Sequence, residues 1–150
     1  MDNDGLPTYF AFFNEIGIIE QLSRARLEKQ LPDGLIAPHF TVLNHLIRVK
    51  DGQTPLALAR AFQVPKTTMT HTLSGLTARG LVELRPNPKD GRSKCVWLTE
   101  DGRSLRNQTI ASLAENFEPF KQHFPLEHIA SLIPHLQEIR EYLDREREED

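Results

Sequence analysis

Four polar side chains, Thr67, Thr70, His71 and Ser74, are spaced so that on a helix they fall into one stripe. The apolar residues Met69, Leu73 and Leu76 fall on the other side, and Lys66 stands at the N-terminal end. A narrow polar face of this kind can enter the major groove of a nucleic-acid duplex. Threonine methyls touch thymine, hydroxyls bond to base edges, and His71 can donate to an acceptor such as guanine N7. Taken alone, the stripe is an ordinary solvated helix face. The residues downstream of it change that reading. Arg85, Lys89, Asp90, Arg92 and Lys94 form a mostly basic run around Gly91. Gly91 is expected to permit a tight turn. Arg92 suits a narrow, A/T-rich minor groove. Arg85, Lys89 and Lys94 suit phosphates, which give position rather than sequence. Asp90 is expected to aim Arg92 through a charge-assisted bond.

The elements that must hold these side chains can be read from periodicity and punctuation. Residues 1–7 read as a loose arm. From about Thr8 to Lys29, Phe12, Phe13, Ile16, Ile19, Leu22 and Leu27 keep helical spacing. Leu31 to Gly34 is a break, and a second helix is expected from about Pro38 to Arg48. Thr54 is placed to cap a short helix with Pro55 at its first position, Leu56, Leu58, Ala59 and Phe62 facing a core. Pro65 is expected to open the helix that carries the stripe, and Gly80 to end it in a left-handed cap. Leu81 to Arg85 and Lys94 to Leu98 read as strands, with Pro86 to Ser93 as the turn. Thr99 caps a long helix reaching near Phe117. Pro119 and Pro125 interrupt, and a last helix runs from about Leu126 to Arg147, with Pro134 predicting a kink or a late start. The fold class is mostly α with a small β-wing, an α+β winged helix-turn-helix.

The 150 residues suit one domain with helical extensions, and the net charge of −3 argues against nucleic acid only until its distribution is read. From Pro65 to Arg106 there are eight basic residues against four acidic; from Leu136 to Asp150 there are seven acidic against three basic. The chain is polarised, with a local basic surface of the kind that phosphate contact requires. No apolar run is long enough to span a bilayer, and no secretory signal is visible at the N-terminus. Cys95 is the single cysteine. That excludes an intrachain disulfide and fits a cytoplasmic protein.

Asp90-Gly91-Arg92, followed after five residues by Leu98-Thr99, resembles the wing signature of the multiple-antibiotic-resistance regulator (MarR) family. Leu76-Thr77-Ala78-Arg79-Gly80-Leu81-Val82 is similar to that family's passage from recognition helix to wing. The resemblance covers nearly the whole chain. It implies a winged lobe over residues 36–107 and dimerisation helices over 8–35 and 108–150. It also implies a homodimeric repressor of transcription that reads a pseudo-palindrome in double-stranded DNA and is released by a small ligand bound between the two parts. The apolar first and last helices support a dimer independently, because exposed patches of that size usually mark an interface.

A small organic effector would find an apolar lining with one polar anchor in Phe12, Phe13, Ile16, His39, Phe40 and Leu43. Redox sensing through Cys95 would need an exposed, low-pKa thiol, whereas this residue is expected to be half-buried. His39 and His45, or His128 and His135, are poorly spaced to share a metal, so neither a metal nor a cofactor is expected. There is no phosphate loop, nucleophile elbow or zinc helix, and an enzyme is not expected. The alternative of another class is a winged-helix protein–protein adaptor that does not bind DNA. The acidic tail from Asp144 to Asp150 is its one supporting feature, and Arg92 with the basic wing argues against it.

Overall fold

The computed structural model describes residues 4–149, so Met1 to Asn3 of the N-terminal arm and Asp150 lie outside the described residues. The chain divides into two compact units, with the break between Leu113 and Ala114.

The first unit opens with α1, Leu6–Glu28, which takes in the last two residues of the expected arm and buries none of its own side chains. α2, Ala37–Arg48, buries Phe40, Val42, Leu43 and Leu46 on one stripe. α3 is the seven-residue helix Pro55–Ala61. Thr54 caps it as expected, accepting from the Ala57 N–H at 3.1 Å. Leu58 and Ala59 are buried and Phe62 packs against the core, but Leu56 is 45% exposed. Leu56 is therefore not a core residue; it faces a surface hollow shared with the wing. α4, Lys66–Ala78, buries Met69, Leu73 and Leu76 as the periodicity requires, and Thr72 with them. Pro65 is its N-cap rather than its first residue.

α4 ends in a Schellman motif. Gly80 has φ +69°, its N–H reaches the Thr77 carbonyl at 3.0 Å, and the Leu81 N–H reaches the Leu76 carbonyl at 3.0 Å. The chain then enters β1, Val82–Asn87, which pairs antiparallel with β2, Asp90–Leu98. The strands run further than the sequence suggests. Pro86 lies opposite Lys94 in the ladder, and the turn is only Pro88 and Lys89. A proline is tolerated there because a ribbon's outer edge needs no N–H. Gly91 does not adopt positive φ and makes no tight turn; it falls where the register slips beyond Pro86 and Asn87.

The ribbon is fastened at its base. The Gly52 N–H donates to the Val96 carbonyl and the Val96 N–H to Gln53, at 3.0 and 2.8 Å. Asp51 accepts from the N–H groups of Gly52 and Leu98, both at 3.0 Å. Gly52 is required twice over: its φ is +72°, and a Cβ would lie 2.5 Å from the Trp97 ring. Leu35, Val42, Leu43, Leu46, Leu58, Met69, Leu73, Leu76, Leu81, Val82 and Val96 share one core. Each of the leucines contributes on the order of 2 kcal/mol by leaving water. Cys95 is buried at 7% exposure, not half-buried.

α5, Glu100–Asn116, starts at Thr99, whose hydroxyl accepts from the Gly102 N–H at 3.0 Å and donates to the Gly80 carbonyl at 2.7 Å. The unit break falls near its C-terminal end. The second unit adds α6, Glu118–His123, and α7, Leu126–Glu149. α6 was not expected: Pro119 lies in its first turn and starts a helix rather than merely interrupting one. α7 runs through Pro134 without a late start.

Candidate nucleic-acid interface

With Met69, Thr72, Leu73 and Leu76 turned inward, the outer face of α4 is left to Lys66, Thr67, Thr70, His71 and Ser74, all of which are exposed. Thr70 folds its hydroxyl back onto the Lys66 carbonyl at 2.9 Å, which leaves its methyl on the surface. Thr70, Ser74 and Thr77 line one side of a hollow of about 360 Å³ whose far side is Pro55 and Leu84. A second hollow of about 470 Å³ shares Pro55 and Leu84 and continues past Leu56 and Lys66 to Asn87, Asp90, Arg92 and Lys94 on the wing. Helix α4 and the wing thus face each other across one trough. Its floor is partly apolar, and three cations stand along it.

The wing carries its charges on two faces. In the ladder Leu84 pairs with Val96 and Pro86 with Lys94, whereas Glu83 pairs with Trp97 and Arg85 with Cys95. Partners across an antiparallel pair share a face. Lys94 is therefore on the trough side, and Arg85 is on the reverse. There Arg85 forms an ion pair with Glu83 and stacks over the Trp97 ring at 5.0 Å. Among the described residues, by contrast, no carboxylate forms an ion pair with Lys66, Arg92 or Lys94.

Asp90 acts differently from the sequence expectation. Its carboxylate accepts the main-chain N–H of Arg92 at 3.0 Å, so it shapes the strand start and leaves the guanidinium unpaired. Lys89 is at the turn, its N–H donating to the Asn87 side chain at 3.0 Å. Asn87 also donates to the Ser93 hydroxyl at 2.9 Å. Asn87, Ser93, Thr54, Pro55, Leu56 and Leu84 belong to the trough and were missed from sequence. Only Asn87 carried a signal, since asparagine before a turn bonds its own backbone two residues on.

The six residues expected to line an effector cleft are not equivalent. On α1, Phe12 is half-buried and packs edge-on to Phe13 at 5.3 Å, while Phe13 and Ile16 are 50% and 37% exposed. On α2, Phe40 and Leu43 are buried, Leu43 within the core. His39 packs against Gly75 of α4, and its Nδ1 accepts from the Ile36 N–H at 2.9 Å. Burial, then Arg79 and His71 nearby, hold His39 below the usual histidine pKa. Cys95, closed off in the lobe, lacks the exposure that a sensing thiol needs. Among the described residues no three metal-ligating side chains come together, and no helix is long and apolar enough to cross a membrane.

This arrangement of helix, turn, helix and wing matches known proteins. The MarR family model matches residues 33–93. Over 93 residues the chain is 33% identical to the transcriptional regulator HosA of Escherichia coli O111:H-, covering 62% of this chain and 67% of that protein. A MarR transcriptional regulator from Methanosarcina mazei Go1 superposes with a TM-score of 0.78 at 23% identity, covering 87% of this chain and 94% of that one. A cysteine-to-serine mutant of E. coli MarR, complexed with operator DNA, superposes with a TM-score of 0.75 at 23% identity, covering 93% and 99%. The chain belongs to the MarR family of transcriptional regulators. Its relatives are regulators, not enzymes.

Proposed function

We propose that this regulator binds double-stranded DNA through the trough between α4 and the wing, as a homodimer on a pseudo-palindromic operator. The observation that carries the reading is the set of three cations that have no ion-pair partner among the described residues, Lys66, Arg92 and Lys94, around an exposed stripe of small polar side chains. Thr67, Thr70, His71 and Ser74 would read base edges. Lys66, Lys89 and Lys94 would meet phosphates, Arg92 would enter the minor groove, and Asp90 would hold the backbone that presents Arg92. Arg85, engaged on the reverse face, has at most a supporting part. The operator bound by the E. coli neighbour of the same fold supports the reading.

The dimer would be built from the segments 8–35 and 108–150, with the lobe 36–107 reading DNA. Repression and release by a small organic effector complete the proposal. Within the expected effector lining, Phe13 and Ile16 can touch a ligand in this conformation, and Leu43 would first have to be uncovered. A ligand that prefers a differently spaced dimer would release DNA in proportion to its differential affinity.

The test is the salt dependence of binding to a mixed-sequence duplex. Lys66→Ala and Arg92→Ala are each expected to lower the slope of log affinity against log salt by about one. Arg85→Ala is expected to leave it unchanged. A wild-type slope in both trough variants would exclude this surface.

A further inference from the structure

Two helices of the first unit, α2 and α4, meet at His39, and the end of α1 is tied in beside it. His39 is the third residue of α2, and its Nδ1 accepts the N–H of the N-cap residue Ile36 at 2.9 Å. A glutamate or glutamine usually does this in a capping box. The next N–H, from Ala37, donates to the Glu28 carboxylate at 2.9 Å and ties in the end of α1. The other edge of the His39 ring lies on α4, where a Cβ on Gly75 would come within 2.9 Å of Nε2. One turn further along α4, Arg79 donates to the Asp33 carbonyl in the α1–α2 loop and braces the same joint.

We propose that His39 is a positioning residue that seats the recognition helix α4 against α2 only while its imidazole is neutral, so that the DNA-reading lobe loosens in acid. This rests on the trough as the DNA-binding surface, because α4 carries the exposed stripe. The chemistry is direct. A protonated ring carries N–H on both nitrogens. Nδ1–H would then confront the Ile36 N–H, donor against donor, and the charge would sit beside Arg79 and His71, both of α4. The carboxylates of the joint offer no ready relief: Glu28 is engaged on the Ala37 N–H, and Asp33 sits in the loop that Arg79 holds. The ring must turn away from Ile36, and its seat on Gly75 goes with it.

Burial of the ring, and after it the nearby Arg79 and His71, favour the neutral form, so His39 titrates below its ordinary value of 6.5. Its contribution is present above that value and is lost as pH falls through the folded-state pKa. A variant isolates this effect. His39→Gln keeps an acceptor for the Ile36 N–H and cannot titrate.

The experiment tracks the amide resonances of Ile36 and Gly75 in the DNA-free protein from about pH 7.5 to about pH 5.5, the range in which histidine switches. In the wild type both are expected to move with the midpoint of the His39 ring. In His39→Gln both are expected to stay fixed. A second arm measures binding to a mixed-sequence duplex over the same range. There the wild type is expected to weaken several-fold relative to His39→Gln. An unchanged acid response in His39→Gln overturns the proposal. If that variant fails to fold, differing midpoints for the His39 ring and the Ile36 amide in the wild type overturn it instead. If the resonances behave as expected but neither protein binds duplex at any pH, the positioning role stands and the DNA reading fails.

Discussion

Gly102 shows how a single position can be decided by a distant one. A Cβ there would sit 2.1 Å from the carbonyl oxygen of Leu81 and 3.0 Å from the Leu98 side chain. That carbonyl already accepts the Thr99 N–H, so it cannot easily move. Gly102→Ala is expected to destabilise the protein by about 1–3 kcal/mol, the usual cost of overpacking, as read from urea denaturation. A shift within a few tenths would contradict the packing described. Nothing local in the sequence marks this glycine, since its reason lies two elements away. Thr54, Thr99 and Gly80 were legible for the opposite reason: caps are local, and each does what its residue type suggests. Asp90 was half legible. Its partner is the right residue, Arg92, but the wrong group, because a carboxylate two residues back reaches a main-chain N–H more easily than a long side chain.

At the scale of elements, helices were read well where an apolar stripe meets a core, as in α2 and α4. Elements next to prolines differ most from expectation. The turn expected over Pro86 to Ser93 is shorter, because the ladder runs past Pro86. Pro119 suggested a gap, yet it lies in the first turn of α6. The trough was only partly legible. Its cations and stripe stand out in sequence, but Leu56 and Leu84 take their places from the approach of α3 and the wing. The seven-residue α3 makes a further point. A helix this short is marginal without tertiary support, so its cap matters. Thr54→Ala is expected to cost about 1 kcal/mol in urea denaturation, and a neutral result would mean that the cap is idle.

For the whole molecule, the unburied apolar surface needs an explanation. α1 buries none of its residues, and Tyr9, Phe10, Phe13, Ile19 and Leu22 are each at least 50% exposed. In the second unit, Phe117, Phe124, Leu126, Ile133 and Leu136 are also exposed. Surfaces like these mark interfaces. The proposed dimer would cover them and would set two α4 helices about one duplex turn apart, roughly 34 Å. The most direct test of a dimeric operator reader is selection from a random-sequence duplex pool by the purified protein, at about 50 and about 200 mM salt. Enrichment of a pseudo-palindrome whose half-sites lie about one turn apart, bound more weakly at the higher salt, is the predicted result. Recovery of no shared sequence at either salt would contradict it.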